Sequence, residues 1–342
     1  MATPAQRTNT WTLDEWYDQA VAGTQGSYIG AQGIYSWAGS PKGESGRNTQ
    51  GPTARKSSPT QIGSLNTWSS ISGYYDGYFF GATKTDGTLW AWGENAEGAL
   101  GQNDRTNRSS PVQIPGATWS TTKNKFGGST YTAAAIKTDG TLWTWGYEDQ
   151  GILGQNNLTN YSSPVQVGSG SDWATISKPP RYFQAAIKTD GTLWMWGAGG
   201  YGNLGQNQNG DNHRFSSPVQ VPGTTWKLVC GSSQSVSATK TDGTMWAWGR
   251  NTNGILGQNN QANYSSPTQV GSGSDWDIPL QLGFIGGGIK TDGTLWSWGY
   301  NGAGHLGQND RTARSSPVQI PGTWADMAAS GESGSIMAMN LN

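Results

Sequence analysis

A short alternation of apolar residues recurs along the chain and predicts β-strands. In the copy Leu89-Trp90-Ala91-Trp92, the tryptophans share one face of a strand and the smaller residues share the other, because strand side chains alternate with a period of two. Both faces are apolar, which is typical of a strand buried between packed sheets. The preceding Thr-Asp-Gly-Thr segment predicts a tight hairpin turn, in which glycine supplies the positive φ.

Three further segments complete a four-stranded unit. Upstream of the turn lies a strand of small residues, as at 133–136 and 235–238, and small side chains suit the crowded region near the axis of a ring of sheets. The Ser-Pro-Val-Gln segment predicts an edge strand, because proline removes one donor from the ladder. A fourth short strand follows the tryptophan that closes each unit, for example over 226–229.

The unit repeats with a period of about 50 residues, which is typical of propeller blades. The Lys-Thr-Asp-Gly segment begins at Lys84, Lys137, Lys188, Lys240 and Lys290, with spacings of 53, 51, 52 and 50 residues. A unit of this size cannot bury both of its faces alone and must stack against its neighbours. We therefore interpret residues 1–342 as one domain, an all-β propeller of four-stranded blades.

The two ends of the chain bear on the number of blades. The closing tryptophan occurs at Trp11, Trp68, Trp119, Trp173, Trp226, Trp276 and Trp324. Residues 3–6 resemble the edge strand and residues 335–339 resemble the small-residue strand, so the termini are expected to share blades and remove free sheet edges. We predict seven blades, six complete and one incomplete, closed by the termini. The alternative is six complete blades over 33–342, with 1–32 as an N-terminal appendage.

The repeated motifs resemble those of a known family. Asp-Gly-Thr-Leu-Trp-Ala-Trp-Gly and Leu-Gly-Gln-Asn, together with the small-residue strand before them, resemble the regulator of chromosome condensation family of β-propellers over nearly the whole chain. The resemblance implies the fold and leaves function open. That family includes guanine-nucleotide exchange factors, and similar propellers serve as inhibitors, sensors and scaffolds.

Residues 12–22 interrupt the repeat and predict a short helix. Thr12-Leu13-Asp14-Glu15 is a capping-box pattern, and Gly23 provides a stop. The helix either caps the propeller or docks to another subunit. The segment 11–19 also resembles N-terminal segments of structural proteins from tailed marine phages that carry the same propeller repeats.

Composition narrows the range of partners. Charged residues make up 13% of the chain and the net charge is −1, which provides no electrostatic footprint for nucleic acid. No apolar run reaches the length of a membrane span, and the N-terminus lacks the regions of a secretory signal. We expect a protein made in the cytoplasm without a signal peptide and associated with a virion, with no membrane insertion.

Groups able to carry out chemistry are few. Cys230 is the one cysteine, and His213 and His305 have no partner histidine or cysteine at ligand spacing. The recurring aspartates of the Thr-Asp-Gly segments are explained by the turns, in which an Asp side chain bonds its own backbone. No glycine-rich phosphate loop opens a helix. We therefore predict a protein that is not an enzyme and has no metal or cofactor.

A partner is expected on the face that carries the long connections. In a four-stranded meander, the connections from strand one to two and from three to four emerge on one face, and here their residues differ between units. Tyr and Arg on such loops are typical interface anchors. The candidate binding residues are Arg105, Arg108, Tyr161, Phe215, Tyr264, Arg311, Arg314, Tyr75, Lys125 and Arg181.

These observations leave several functions open. The first hypothesis is a structural or adhesive component of a phage virion that contacts protein subunits of a larger assembly, or a surface glycan or receptor. The alternatives are a regulatory protein-binding propeller similar to the exchange factors, and a propeller that inhibits an enzyme. A glycan-acting enzyme comes last, because no convincing acid pair is present.

Overall fold

The computed structural model describes residues 33–63, 67–73, 79–122, 124–128, 131–177, 182–208, 210, 213–329 and 336–340. Within these residues the chain forms 24 β-strands and one short 3-10 turn, Thr252–Gly254. No helix in the described part of the chain is long and apolar enough to cross a membrane. The helix predicted over 12–22 lies outside the described residues.

The strands form seven antiparallel sheets, which we number in chain order. Sheet 1 contains β1 (Tyr35–Ser40) and β2 (Gly51–Gln61). Sheet 2 contains β3 (Trp68–Gly73), β4 (Phe79–Lys84), β5 (Leu89–Gly93) and β6 (Arg108–Gln113). Sheet 3 contains β7 (Phe126–Gly128), β8 (Thr132–Ile136), β9 (Leu142–Gly146) and β10 (Tyr161–Gln166). Sheet 4 contains β11 (Trp173–Ile176), β12 (Phe183–Lys188), β13 (Leu193–Ala198) and β14 (Arg214–Gln220).

The last three sheets follow the same plan. Sheet 5 contains β15 (Trp226–Gly231), β16 (Ser235–Lys240), β17 (Met245–Gly249) and β18 (Tyr264–Gln269). Sheet 6 contains β19 (Trp276–Leu282), β20 (Ile285–Lys290), β21 (Leu295–Gly299) and β22 (Arg314–Ile320). Sheet 7 contains β23 (Trp324–Ala329) and β24 (Ile336–Asn340).

Each four-stranded sheet runs from the centre of the ring to its rim. The strands lie side by side in chain order, and the first strands of neighbouring sheets pack together, as β15 does with β19 and β3 with β7. The Ser-Pro-Val-Gln strand is the outer edge, as its proline predicts. The second strand is buried almost throughout, and in β8 it consists mainly of alanine.

The cores lie between sheets rather than within them. One buried cluster joins Met195 and Val221 of sheet 4 to Trp226 and Trp248 of sheet 5, and all four are at most 2% exposed. The indole Nε1 of Trp248 also donates to the backbone oxygen of Asn203, in a loop of the preceding sheet, at 2.9 Å. The same bond joins Trp92 to Glu44, Trp145 to Ala99, Trp196 to Ile152, and Trp298 to Ile255.

The architecture confirms the prediction of an all-β propeller of four-stranded blades. Seven sheets agree in number with seven predicted blades, although five rather than six have four strands among the described residues. In that same part of the chain, β1 pairs with β2 and β24 pairs with β23. Closure of the ring by the termini depends on residues that the structure does not describe and stays a prediction.

Candidate interaction surface on the long-loop face

The two faces of the ring differ in the connections that they carry. One face carries the connections from first to second strands and the long loops from third to fourth strands; we call it the long-loop face. Its long loops span residues 94–107, 147–160, 199–213, 250–263 and 300–313. The opposite face, the turn face, carries the Thr-Asp-Gly turns and the links between sheets. This arrangement matches the sequence-based expectation.

Buried side chains hold most of the long loops in a common shape. Asn251 accepts a hydrogen bond from the backbone N–H of Leu256 at 2.9 Å and donates to the backbone oxygen of Asn260 at 3.1 Å. Asn95 and Asn301 make the equivalent bonds in their own loops. Because a buried amide that is fully bonded fixes the backbone around it, these loops form a rigid platform.

In sheet 3 a glutamate occupies this position. The Glu148 carboxylate accepts hydrogen bonds from the backbone N–H groups of Gly151 and Leu153 and is only 6% exposed. Burial raises the pKa of the Glu148 carboxyl, although these hydrogen bonds favour the ionised form. Its role is therefore to hold the loop, as the asparagines do, rather than to face a ligand.

The candidate arginines beside the outer strands make ion pairs within their own loops. Arg108 Nη2 lies 2.6 Å from Asp104 Oδ2, and Arg314 Nη2 lies 2.6 Å from Asp310 Oδ2. Both also donate to a backbone oxygen two residues upstream. Arg105 and Arg311, three positions earlier, are exposed. Of the four, these two present their charge most freely to a partner.

The candidate aromatic residues at the same outer position are half-buried. The hydroxyls of Tyr161 and Tyr264 accept hydrogen bonds from Asn157 and Asn260, each at 2.9 Å. Their rings pack against the cores between sheets, as does Phe215. Each side chain thus has an intramolecular function, and partner binding by these residues stays a prediction.

The remaining candidates are placed differently. Lys125 is half-buried, and burial lowers the pKa of its ammonium group. Tyr75 and Arg181 lie outside the described residues. The eight candidates that the structure describes thus differ in exposure and in their contacts, and partner binding by any of the ten stays a prediction.

Exposed aromatic residues occur on the long-loop face where second strands begin and third strands end. Tyr147, Phe284 and Tyr300 are each 37% exposed. The Tyr147 ring lies edge-on to Tyr131 with centroids 6.3 Å apart, and the Tyr300 ring lies edge-on to Phe284 at 6.4 Å. Register explains the pairing, because the backbone N–H of Tyr147 donates to the backbone oxygen of Tyr131, and that of Tyr300 donates to the backbone oxygen of Phe284.

A fifth aromatic residue supports a guanidinium on this face. The Arg250 guanidinium lies 5.0 Å from the centroid of the Tyr201 ring, and it donates to Gln234 Oε1 at 2.7 Å and to Thr252 Oγ1 at 2.8 Å. These contacts hold its charge in one position. We call Tyr131, Tyr147, Tyr201, Phe284 and Tyr300 the aromatic rim.

The aromatic rim is not among the candidates expected from the sequence, but the sequence carries a signal for part of it. The residue directly after each Trp-Gly differs between units, being Glu94, Tyr147, Ala198, Arg250 and Tyr300. Such variation within otherwise similar units indicates a position free of packing demands. The positions of Tyr131 and Phe284 beside Tyr147 and Tyr300 follow only from the register of the strands.

The aspartates and lysines of the Thr-Asp-Gly turns make contacts within the fold. Asp86 Oδ1 accepts hydrogen bonds from the N–H and hydroxyl of Thr88, whose oxygen accepts a bond from Trp90 Nε1. These hydrogen bonds hold the pKa of Asp86 below its usual value. Lys84 Nζ lies 3.7 Å from the centroid of the Trp90 ring. Equivalent contacts recur in sheets 3 to 6, so the repeated aspartates serve the turns.

Potential metal ligands are dispersed. In the described part of the chain, no group of three or more histidine, cysteine, aspartate or glutamate side chains is arranged to hold a metal ion. His213 lies edge-on to Phe215, and His305 lies beside Tyr300. Cys230 lies on β15, near the centre of the ring.

Comparison with known families agrees with this architecture. The regulator of chromosome condensation (RCC1) repeat matches residues 86–135, 139–177, 190–238, 242–278 and 292–337, which together make up more than half of the chain. Each matched segment begins at the aspartate of a Thr-Asp-Gly turn. The sequence-based resemblance is thereby confirmed.

Individual relatives share only part of their length with this chain. The human E3 ubiquitin-protein ligase HERC2 is 28% identical over 230 residues, which cover 66% of this chain and 5% of that protein. The ultraviolet-B receptor UVR8 of Arabidopsis thaliana is 31% identical over 182 residues, which cover 52% of this chain and 40% of that protein. The chain therefore spans a small part of the first relative and less than half of the second.

A solved structure shares the fold over nearly the whole chain. A chain in the crystal structure of Kap60 bound to yeast RCC1 (Prp20) superposes with a TM-score of 0.74 at 16% identity, covering 99% of this chain and 84% of that one. At this identity the similarity shows the fold alone.

Proposed function

The chain belongs to the regulator of chromosome condensation (RCC1) repeat family, and from that membership we propose that it is a non-enzymatic propeller that binds another protein through its long-loop face. The family fold is of a protein-interaction and regulatory type. In the similar crystal structure, yeast RCC1 is itself bound to another protein, Kap60. That partner belongs to the yeast protein and is not transferred to this chain.

The exposed aromatic rim is the observation that carries the proposal. Large aromatic side chains dominate the binding energy of protein interfaces, and they act best from rigid supports. Here the strand ends and the buried loop asparagines supply that support. The turn face offers less, because its lysines and aspartates are engaged with neighbouring tryptophans and threonines.

Catalysis is not part of this proposal. The ligase activity in the name of HERC2 belongs to a protein of which this chain matches 5%. Among the described residues, Glu148 is the carboxyl group whose pKa burial raises, and its oxygens are bonded to its own loop. It is therefore not placed to act on a substrate.

The narrower form of the proposal is a structural or adhesive component of a phage virion. It is supported by the resemblance of residues 11–19 to segments of phage structural proteins, a region outside the described residues. The alternative is a regulatory protein-binding propeller, which the named relatives favour. Incorporation of the tagged protein into purified virions is the test, and failure to incorporate favours the regulatory alternative.

The proposed binding face can be tested without a known partner. A yeast-displayed library of random peptides is selected against the immobilised protein, and the enriched pool is then measured against two triple variants. One removes rim residues by Tyr147→Ala, Phe284→Ala and Tyr300→Ala. The matched control changes three exposed threonines of the turn face by Thr138→Ala, Thr189→Ala and Thr241→Ala.

We expect the rim variant to bind the pool at least about tenfold more weakly, because truncating aromatic anchors typically costs about 2 kcal/mol or more. The control variant is expected to bind as the parent does. Thermal melts verify that both variants fold. Loss of binding in the threonine variant, with binding retained in the rim variant, would refute the assignment of the face.

A further inference from the structure

Charge is distributed unevenly over the long-loop face. The loop 250–263 carries Arg250 and no carboxylate, whereas the loop 147–160 carries Glu148 and Asp149 and no cation. Arg214 at the start of β14 and Arg311 in the last long loop add two exposed guanidiniums to sheets 4 to 6. On sheet 2, Glu97 is half-buried and Glu94 pairs with Lys42.

The three guanidiniums on sheets 4 to 6 are not neutralised within the described part of the chain. The ion pairs found there do not involve Arg214, Arg250 or Arg311, and the one described carboxylate of the last long loop, Asp310, is engaged by Arg314. Arg250 also donates to neutral oxygens and stacks on Tyr201, which keeps its charge intact and fixes its direction.

Apolar contact area lies on the same three sheets. Tyr201 supports Arg250, and the paired rings of Phe284 and Tyr300 stand on sheet 6, each 37% exposed. We call Arg214, Arg250, Arg311, Tyr201, Phe284 and Tyr300 together the basic sector. Arginine and aromatic residues are the side chains most enriched at interface hot spots.

We propose that the basic sector binds an acidic segment of a protein partner that also presents an apolar side chain. The inference rests on the proposed function and names the chemistry of its ligand. Carboxylates complement the three guanidiniums, which form no ion pair within the described residues, and the apolar side chain complements the Phe284–Tyr300 pair. The long loops of sheets 2 and 3 carry more carboxylates than cations, so the charge pattern favours the basic sector over those sheets.

The repeat supplies a matched pair of variants for the test. Arg105 and Arg311 stand in the same Asn-Asp-Arg-Thr motif, at the same loop position, and both are exposed, but only Arg311 belongs to the basic sector. The probe is a dye-labelled 12-residue peptide that alternates Asp and Glu with Leu and Phe, followed by fluorescence anisotropy. A second peptide, with Lys at every acidic position, and a single-stranded oligonucleotide of similar charge are the controls.

We expect the acidic peptide to bind and the basic peptide not to bind. Arg311→Gln is expected to weaken binding about tenfold, whereas Arg105→Gln leaves it unchanged. Arg214→Gln is expected to act as Arg311→Gln does, and raising the salt from about 0.05 M to about 0.5 M weakens binding further.

Several results would overturn the inference. They are equal binding of the two peptides, equal effects of Arg105→Gln and Arg311→Gln, tighter binding of the oligonucleotide, or no peptide binding at all. If the library selection nonetheless yields neutral or basic peptides that require the aromatic rim, the proposed function stands and only the acidic ligand is wrong.

Discussion

At the scale of single residues, the tryptophans have two distinct tasks. The second tryptophan of each third strand is fully buried and donates its indole N–H to a loop of the preceding sheet, as Trp196 does to Ile152 at 2.8 Å. The first is half-buried and donates within its own turn, as Trp194 does to Thr192 at 2.9 Å. The second tryptophan therefore connects two sheets, whereas the first, two residues earlier, stabilises the hairpin turn of its own sheet.

This division predicts unequal costs for the same substitution. Trp196→Phe should lower the free energy of unfolding by about 2–4 kcal/mol, since it leaves a cavity and an unpaired buried carbonyl oxygen. Trp194→Phe should cost about half as much, because its surroundings are partly solvated. Urea unfolding followed by circular dichroism measures both. Equal losses would contradict the proposed link between sheets.

Glu148 predicts a pH dependence that its sister loops lack. Because burial raises the pKa of the folded carboxyl, its stabilising contribution is complete below the pKa of the unfolded chain and is lost as pH rises through the folded value. Glu148→Asn, which restores the residue found at 95, 251 and 301, should therefore be more stable than the parent near neutral pH.

The measurement is the free energy of unfolding of Glu148→Asn and of the parent between about pH 4 and pH 7. The advantage of the variant should shrink as the pH falls toward the ordinary glutamate pKa of about 4.3. Asn95→Asp serves as a control for placing a carboxyl group in an equivalent loop. A constant difference across the range would mean that Glu148 does not titrate as its burial implies.

At the scale of elements, the Thr-Asp-Gly turns face two kinds of link between sheets. The two links leave different amounts of space beside the glycine of the turn. Gly87 and Gly140 both have φ near +79°, a region that favours glycine. A Cβ at Gly140 would overlap the backbone oxygen of Ser171, whereas one at Gly87 would lie 3.4 Å from the nearest atom, Thr118 N. The link that faces Gly140 is Gly-Ser-Gly-Ser-Asp, and the link that faces Gly87 is Pro-Gly-Ala-Thr.

Alanine substitutions should separate strain from overlap. Gly87→Ala is expected to lower the free energy of unfolding by about 1 kcal/mol, as is usual for alanine at a positive φ. Gly140→Ala is expected to lower it by clearly more, because the link that contains Ser171 must also move. Thermal unfolding of the two variants compares them directly. Similar shifts in melting temperature would show that the Ser171 link yields easily.

Much of each element could be predicted from the sequence, because local rules determine it. Alternation at 89–92, the Asp86-Gly87 turn and the edge proline at 111 identified three strands of every unit. The aromatic rim could not be predicted in the same way. Phe284 and Tyr300 lie at opposite ends of one hairpin sequence and meet only through the register of β20 and β21.

The outer candidates show the opposite limitation. Arg108 and Tyr161 vary between units and lie beside long loops, so variation suggested binding. Their partners Asp104 and Asn157 lie four residues upstream, a spacing that has meaning only once the loop folds back. Variation of a residue between units therefore indicates two kinds of position. Some are free of contacts, and others make contacts that differ from loop to loop.

At the scale of the whole molecule, closure of the ring is the property still to be tested. We expect deletion of residues 1–10 to remove one strand from a blade, lower the melting temperature and increase self-association, because an open sheet edge is exposed. Calorimetry and light scattering of the truncated protein measure the two effects. An unchanged melting temperature would favour six complete blades with a dispensable N-terminal appendage.

The indole bond between sheets also bears on how such a gene can change. Its acceptor is a main-chain oxygen, carried by residues as different as Ala99, Ile152, Asn203 and Ile255, so the side chain there can drift by mutation without breaking the bond. Among the described residues, each of sheets 2 to 6 offers the same donor to the sheet before it, and each of sheets 1 to 5 offers the same acceptor to the sheet after it. Unequal recombination that adds or deletes one whole copy therefore preserves every junction, and copy number is free to evolve until the circle no longer closes.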